Sequence, residues 1–258
     1  MDIVIPTLGR CDPTKQQTLI ALNNAGLKPI VVVQPHEADW WHKNMASERV
    51  QVLPPYIKGI SATRDYIINE MTGDRHVCMF DDDLHFAVRR EDDRTKFRQP
   101  EAADIRAMVA DIALSLDWAP HVSIGAREGG NRVTTEHSFN TRMMRVLAYD
   151  RNVLKKNRVT FAPMDVMEDF HVTLQLLRLG YDCTVLNDWV SNQAGGSDAG
   201  GGCSTFRTPE VQDANARRLA ERHPGFVKVV RKMTKTAWGG KARTDVVVQW
   251  KQARKAGG

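Results

Sequence analysis

Two short runs of β-branched residues, joined by a segment with helical periodicity, constrain the fold of this chain more than any other feature. The runs span residues 3–5 and 30–33; Pro6 ends the first, and Pro29 and Pro35 lie on either side of the second. Between them, residues 14–25 repeat apolar side chains at helical spacing and end at Gly26. A strand, a helix and a second strand in this order form a β-α-β unit, in which the two strands are parallel. The N-terminal part of the chain is therefore expected to build an α/β fold.

Strand and helix patterns continue to alternate along the rest of the chain. They predict helices over 61–71, 100–116, 166–179 and 209–223, and strands over 51–53, 76–80, 122–125, 142–149 and 181–186. Ser61 is expected to cap the first of these helices. The pattern predicts a mixed, mainly parallel central sheet with flanking helices.

Charge is distributed unevenly along the 258 residues, although the net charge is only +5. Residues 205–258 hold 13 Lys and Arg against 4 Asp and Glu, whereas residues 1–204 carry a net charge of −4. We expect a body, residues 1–204, and a basic helical C-terminal extension, residues 205–258, packed against it. A cationic segment of this kind favours a polyanionic partner, either nucleic acid or an anionic membrane surface.

The N-terminus and the cysteines indicate a cytoplasmic protein. The chain begins with an apolar strand rather than a basic leader, and no apolar run is long enough to span a membrane. The four cysteines show no metal-type spacing and are expected to be reduced, buried thiols. Nothing in the sequence indicates an oligomeric state.

Three consecutive carboxylates directly follow the predicted buried strand 76–80. Ligands of open α/β sheets gather at the carboxyl ends of strands, which is where Asp81, Asp82 and Asp83 lie. In an extended segment Asp81 and Asp83 point to the same side and can share Mg²⁺ or Mn²⁺, with phosphates filling other positions around the ion. Asp82 would face the other way, towards a ribose or a sugar. An acidic, solvated turn is the alternative.

At this point the sequence resembles the GT-A fold nucleotide-sugar glycosyltransferases, whose Asp-x-Asp motif occupies such a strand end. Three further segments match the family in the same order, within about residues 1–190: 3–7, 59–65 and 168–174. The resemblance implies a UDP-sugar donor and a divalent metal. It places Pro6, Thr7 and Arg10 at the nucleoside and Arg64 at the nucleotide or diphosphate. Family members often supply a late histidine to the metal, and residues 191–193 contain none.

The segment beginning at Glu168 resembles the acidic acceptor-site helix of inverting family members. Inversion at the anomeric carbon needs a base opposite the leaving group, and a carboxylate suits an acceptor hydroxyl. Asp169 is the candidate base, with Glu168 as its neighbour or as an acceptor contact. Enrichment of acids in a first helical turn is the alternative explanation. His171 could be a further metal ligand, but a lone helical histidine is more often a packed group.

The body, this helix, a glycine-rich loop over 195–202 and the basic extension together resemble the TET-associated glycosyltransferases of bacteriophages. The resemblance implies transfer to the hydroxymethyl group of 5-hydroxymethylcytosine, or 5-hydroxymethyluracil, in DNA, inside a host cell's cytoplasm. Two alternatives remain: a GT-A transferase for glycan or lipid-linked acceptors, and a non-catalytic DNA-binding accessory protein.

The glycine-rich loop could close over the donor or be a linker. Trp40 and Trp41 could stack on a ligand or belong to the core.

Overall fold

The computed structural model describes residues 1–71, 73–127, 132–193, 202, 207–233 and 242–258. A ten-stranded mixed sheet lies at its centre. The strands, in chain order, are β1 (Asp2–Pro6), β2 (Ile30–Val33), β3 (Arg49–Val52), β4 (His76–Phe80), β5 (Leu84–Arg89), β6 (Phe97–Arg98), β7 (His121–Ala126), β8 (His137–Phe139), β9 (Val146–Asp150) and β10 (Cys183–Gln193). A separate two-stranded sheet consists of β11 (Val227–Met233) and β12 (Ala242–Val248).

Helices flank the central sheet. The helices of the described residues are α1 (Gln17–Asn24), α2 (Ala38–Asn44), α3 (Gly59–Asn69), α4 (Ala102–Ser115), α5 (Arg151–Lys156), α6 (Glu168–Arg178), α7 (Pro209–Arg222) and α8 (Trp250–Ala256). None of the helices in these residues has the length and apolar character needed to cross a membrane.

The order of the central sheet is β3-β2-β1-β4-β9-β7-β10-β5-β6, with β8 also paired to β10. Strands β1, β2, β3 and β4 are parallel to their neighbours within this group, as are β7 and β10. Strand β9 runs antiparallel between β4 and β7, and β5 runs antiparallel to β10. The predicted β-α-β unit and the mixed α/β class are confirmed.

Alternation along β4 divides the core into two layers. Val77 and Met79 belong to a cluster that includes side chains of α3 and α6, whereas Cys78 and Phe80 belong to one that includes side chains of α1 and α4. Because both faces of the sheet are covered, its strands are apolar on both sides. The buried carboxylates Asp82 and Asp83 follow directly after the end of β4.

The C-terminal extension is only partly helical, which corrects the prediction. Helix α7 forms as expected, but the β11–β12 hairpin follows it before the chain ends in α8. Frequent Lys and Arg residues obscured the strand period in the sequence. Ala216, Leu219, Val246 and Ala253 of the extension join the same apolar cluster as α3 and α6, so the extension packs on the body.

Other differences concern the limits of elements. Ser61 does not cap α3: the N-cap is Lys58, and the Ser61 hydroxyl donates a hydrogen bond to the carbonyl of Met164 across the fold. Strand β9 begins at Val146 rather than at residue 142, and β10 continues to Gln193, beyond the predicted end at residue 186.

Candidate active site

A cleft of about 320 Å³ opens at the carboxyl ends of β1 and β4, beside the first turns of α3 and α6. The β1–β4 register pairs Val4 with Met79, which sets the residues after β1 beside those after β4. All nine predicted site residues line this cleft: Pro6, Thr7, Arg10, Arg64, Asp81, Asp82, Asp83, Glu168 and Asp169.

Arg10 binds two of the three consecutive carboxylates. Its Nη1 lies 2.7 Å from Asp82 Oδ1, and its Nη2 lies 2.7 Å from Asp83 Oδ2. The Thr7 hydroxyl donates to the other oxygen of Asp82, and Gln193 Nε2 donates to Asp83 Oδ1 at 2.8 Å. Arg10 thus ties the loop after β1 to the end of β4. Asp82 is buried in these contacts and shares Arg10 with Asp83, whereas Asp81 pairs with Arg64.

Arg64 joins the Asp81 side of the cleft to α6. Its Nη2 lies 3.0 Å from Asp81 Oδ1, and its Nη1 lies 2.5 Å from Glu168 Oε1. Burial alone would lower the pKa of Arg64, but Glu168 and Asp81 outweigh that effect and the pKa is raised. The guanidinium therefore remains charged and holds two carboxylates from distant parts of the chain in one place.

Burial, with a smaller contribution from mutual repulsion, raises the pKa values of the carboxylates despite these arginines. Burial raises the pKa of Asp81 to about 6 against the opposing effect of Arg64, and Asp83 and Asp82 add to the rise. Burial likewise raises the pKa of Asp82 to about 6, opposed by Arg10 and Thr7. The pKa of Glu168 is also raised, by burial and by Asp169, although Arg64 opposes the shift. The floor of the cleft is an electronegative site that attracts cations.

Glu168 and Asp169 occupy the first turn of α6 in different surroundings. Glu168 is buried and engaged with Arg64, whereas the side chain of Asp169 is half-buried and lines the cleft. Asp169 Oδ1 accepts a hydrogen bond from the N–H of Phe170 at 2.9 Å. Of the two, Asp169 is the more open to the cleft, and Glu168 is the one paired with Arg64.

Several lining residues carry no motif and were not predicted. Gln193 comes from β10, Arg142 precedes β9, and Arg207, Gln212, Arg243 and Asp245 come from the extension. The basic charge of residues 205–258 was the one sequence signal for the last group, but only the folded chain brings them to the cleft. The extension thus adds basic side chains to a site whose floor is acidic.

His171 packs away from the carboxylates. Its Nδ1 lies 2.7 Å from Nε2 of His223, whose Nδ1 lies 3.3 Å from Arg178 Nη1. Because the guanidinium can only donate, His223 accepts at Nδ1 and donates from Nε2 to His171, which keeps both rings neutral. His171 therefore joins α6 to the end of α7, as a packed group.

The tryptophan pair, the cysteines and the glycine-rich loop were the other candidates in the sequence. Trp41 is fully buried in the core and contacts Trp40 edge to face, so this pair is structural. Cys78 and Cys183 are buried and Cys11 is exposed, all three as free thiols, while Cys203 lies outside the described residues. Of the glycine-rich loop only Gly202 is described; its N–H donates to the carbonyl of Leu8 at 2.8 Å, and it lines the cleft.

The chemistry of Asp81 and Asp83 fits a divalent metal ion that is shared with a substrate. Within the described residues, no group of three or more His, Cys, Asp and Glu is arranged to hold a metal by itself. Mg²⁺ and similar hard cations are commonly held by one or two carboxylates and complete their shell with phosphate oxygens and water. Two carboxylates at one strand end, in a cleft that attracts cations, meet that requirement.

Comparison with known families decides the class of protein. A family model described as TET-Associated Glycosyltransferase matches residues 1–202. The chain belongs to the TET-associated glycosyltransferase family. Membership confirms the predicted enzyme class, a nucleotide-sugar-dependent glycosyltransferase. The residues that Arg207, Gln212, Arg243 and Asp245 contribute to the cleft of this glycosyltransferase lie beyond the matched segment. No curated protein matches the chain by sequence.

Solved structures support the fold of the glycosyltransferase. Mannosyltransferase PcManGT from Pyrobaculum calidifontis, solved in complex with GDP-Man and Mn²⁺, aligns with a TM-score of 0.55 at 15% sequence identity. The alignment covers 86% of this chain and 62% of that one, so this chain spans less than two thirds of the mannosyltransferase. At this identity the likeness shows the fold alone, and it confirms the predicted GT-A type.

Two further structures resemble the glycosyltransferase more weakly, and neither adds to the assignment. CMP:2-keto-3-deoxy-manno-octonic acid synthetase complexed with CTP has a TM-score of 0.44 at 12% identity, covering 72% of this chain and 88% of that chain. The 4-diphosphocytidyl-2C-methyl-D-erythritol synthase from Anaerococcus prevotii has a TM-score of 0.45 at 11% identity, covering 84% and 95%.

Proposed function

We propose that this glycosyltransferase moves a sugar from a UDP-sugar to the hydroxymethyl group of 5-hydroxymethylcytosine, or of 5-hydroxymethyluracil, in DNA. The observation that carries the proposal is the cleft itself, where Arg64 joins the carboxylate at the tip of β4 to the acidic first turn of α6. A donor-side and an acceptor-side carboxylate in one cleft are what sugar transfer with inversion requires. Family membership supports the DNA acceptor.

On the donor side, different residues would bind the nucleoside, the diphosphate and the metal ion. Pro6, Thr7 and Arg10, at and after the end of β1, would hold the nucleoside, and Arg64 would bind the nucleotide or its diphosphate. Asp81 and Asp83 would hold Mn²⁺ or Mg²⁺, which acts as a Lewis acid that stabilises the departing diphosphate. Asp82, fixed by Thr7 and Arg10, would keep these two residues in position.

On the acceptor side, Asp169 would act as the general base. Its carboxylate takes the proton of the acceptor hydroxyl while that oxygen bonds to the anomeric carbon and the bond from this carbon to the diphosphate oxygen breaks. Glu168 is neutralised by Arg64 and would orient the turn rather than accept the proton. The resulting transfer inverts the configuration at the anomeric carbon.

The basic extension would bind the phosphates of the acceptor DNA. In the β11–β12 register Lys232 pairs with Arg243, and Val230 pairs with Asp245. Because side chains two residues apart share a face, Lys228 and Lys232 lie on the same face as Arg243 and Asp245, which line the cleft. We therefore propose that residues 1–204 form the catalytic domain and residues 205–258 a DNA-binding extension packed on it.

One incubation tests donor and acceptor together. The protein is mixed with hydroxymethylated or plain duplex DNA, Mn²⁺ and a panel of UDP-sugars, and the nucleosides are analysed by mass spectrometry. GDP-mannose belongs in the panel, since the solved mannosyltransferase binds GDP-Man. We expect a hexose-sized mass gain confined to modified DNA. A protein that modifies neither DNA but transfers sugar to a glycan or lipid acceptor would contradict the proposed acceptor.

A second experiment tests the metal assignment. UDP release is measured with Mn²⁺, with Mg²⁺ and after chelation, for the unaltered protein and for Asp83→Ala. We expect chelation and the substitution each to abolish release. An unchanged rate in Asp83→Ala would show that Asp83 does not hold the metal.

A third experiment separates DNA from an anionic membrane as the partner of the extension. The hairpin exposes Met233 and Val247 among its basic residues, a combination that also suits a lipid surface. Gel shifts on hydroxymethylated duplex DNA are compared with co-sedimentation on anionic vesicles. We expect DNA binding without vesicle binding, in keeping with a cytoplasmic protein acting on DNA.

A further inference from the structure

The first turn of α6 lacks the usual local support of a helix start. Its N-cap is Met167, which adopts the left-handed region at φ 66° and makes no side-chain capping hydrogen bond. Glu168 and Asp169 follow immediately, so the proposed base lies in a turn that local sequence does little to fix. The conformation of this turn must depend on packing.

That packing comes from an aromatic contact with the last helix of the chain. The buried ring of Phe170, next to Asp169, stacks on Trp250, with centroids 5.4 Å apart and planes 15° apart. The guanidinium carbon of Arg142, another residue of the cleft, lies 4.7 Å from the centroid of the same ring. Phe170 is thus held by an aromatic side chain of the extension and by a cation of the cleft.

Helix α8 packs along α6 and contacts it or its flanking residues at several points. Ala253 is fully buried, and Arg254 Nε lies 2.8 Å from Asp182 Oδ1 beyond the far end of α6. Gly257 and Gly180 are in backbone contact, since a Cβ on Gly257 would lie 2.4 Å from the nitrogen of Gly180. Trp250 begins α8 beside the start of α6, and Gly257 ends it beside the end of α6. Trp250 therefore contacts Phe170 from a fixed support.

We propose that Trp250 is a positioning residue for sugar transfer: it fixes Phe170, and through it the orientation of Asp169. The extension would then complete the acceptor side of the active site as well as bind the acceptor. This inference rests on the proposed function, in which Asp169 is the base. It adds that the residues matching the family, 1–202, need residue 250 to reach full activity.

The test compares Trp250→Ala with Trp250→Phe and with Arg254→Ala. The first removes the stack, the second keeps an aromatic ring, and the third weakens the docking of α8 at its far end. We measure kcat and KM for donor and acceptor, the thermal midpoint, and hydrogen exchange of the amides of residues 168–172.

We expect Trp250→Ala to lower kcat about 10- to 100-fold with little change in the KM of the donor, because a misplaced base slows the chemical step without affecting donor binding. Faster exchange over residues 168–172 should accompany the loss. Trp250→Phe should restore most of kcat. Arg254→Ala leaves the buried Ala253 and the contact of Gly257 with Gly180 in place, so it should lose much less of kcat than Trp250→Ala. Should Trp250→Ala fail to fold, Phe170→Leu removes the same stack while keeping an apolar residue, and the same loss in kcat is expected.

Three results would overturn the inference: an unchanged kcat in Trp250→Ala, or in Phe170→Leu where that variant replaces it; no rescue by Trp250→Phe; or an equal loss in Arg254→Ala. Failure of the proposed function looks different. There the unaltered protein neither modifies DNA nor releases UDP. If the unaltered protein releases UDP but modifies no DNA, the Trp250 variants are compared by their kcat for UDP release instead.

Discussion

At the scale of single residues, Arg64 is the position where stability and function are most closely joined. It is 4% exposed and is the shared partner of Asp81 and Glu168. Removing one member of a buried ion-pair network leaves charges that are neither solvated nor paired. The sequence indicated Arg64 through its place in the GT-A pattern, but not that it connects two halves of the site.

Arg64→Ala is therefore expected to lower the free energy of unfolding by about 3–5 kcal/mol, because the buried Glu168 and the partly buried Asp81 lose their counter-charge. Urea denaturation measures the change. Arg217→Ala is a matched control, since Arg217 pairs with Asp213 on an exposed face of α7 and should matter little. Equal effects in the two variants would mean that Arg64 is an ordinary surface arginine in solution.

Asp169 is expected to matter for rate rather than for stability. Asp169→Asn should lower kcat by about 10²- to 10⁴-fold, the usual contribution of a general base, while the KM of the donor changes little. Steady-state kinetics with hydroxymethylated DNA measure both. Asp92→Asn, on the surface beside Arg90, is the control and should behave like the unaltered protein. Retained activity in Asp169→Asn would assign the base elsewhere.

At the scale of elements, the two histidines that join α6 to the end of α7 give the fold a pH dependence. Burial, followed by the nearby cation of Arg222, lowers the pKa of His171 to about 4. Burial, then His171 and the cations of Arg178 and Arg222, lowers the pKa of His223 to about 3. Because unfolded histidines titrate near pH 6.5, protonation favours the unfolded chain.

The stability that these two histidines contribute should accordingly be complete above about pH 6.5 and be lost as the pH drops towards 4. The raised pKa values of Asp81, Asp82 and Glu168 act in the opposite direction, so the histidine contribution is measured as the difference between the unaltered protein and a histidine variant. Each histidine contributes about 1–2 kcal/mol of loss between pH 7.5 and 5. Urea unfolding at the two pH values measures it. His223→Gln should reduce the loss, whereas His42→Gln, on the exposed part of α2, should not. An equal pH dependence in His223→Gln and the unaltered protein would contradict the assignment.

Sequence reasoning located some elements well and missed others for identifiable reasons. Strand β4 and helix α6 were predicted because their apolar periods are clear and their ends carry Gly or Asp. The second half of β10 was missed because Asn187, Asp188 and Asn192 interrupt its apolar pattern. Its pairing with β5, which is antiparallel and distant in sequence, supplies what the local pattern lacks.

In the site too, residues within local motifs could be predicted, and residues placed by distant parts of the fold could not. The site's nine predicted residues belong to motifs whose order along the chain is typical of the family, and all nine reach one cleft. Arg142, Gln193 and Arg243 belong to no motif, and their presence depends on how β9, β10 and the hairpin are placed by the whole fold. The stack of Trp250 on Phe170 joins residues 80 positions apart, which no local pattern could have indicated.

At the scale of the whole molecule, charge is separated between an acidic cleft floor and a basic hairpin. The body of residues 1–204 carries −4 and the extension carries +9. Sequence alone predicted this separation, but only the fold shows that the hairpin's basic face borders the cleft. A polyanionic acceptor would thus be attracted to the hairpin while the acidic floor repels its phosphates unless a cation intervenes.

Binding to DNA should therefore depend steeply on salt. The logarithm of the association constant is expected to fall linearly with the logarithm of salt concentration. Lys228→Ala with Lys232→Ala should reduce the slope by about 1 for each phosphate that the protein no longer neutralises. Fluorescence anisotropy on hydroxymethylated and plain duplexes measures it. Because these lysines would bind phosphates, both duplexes should lose affinity equally. Lys28→Ala with Lys43→Ala, on the body, removes the same charge and should leave the slope unchanged; an equal reduction there would show that net charge, and not the hairpin, attracts the DNA.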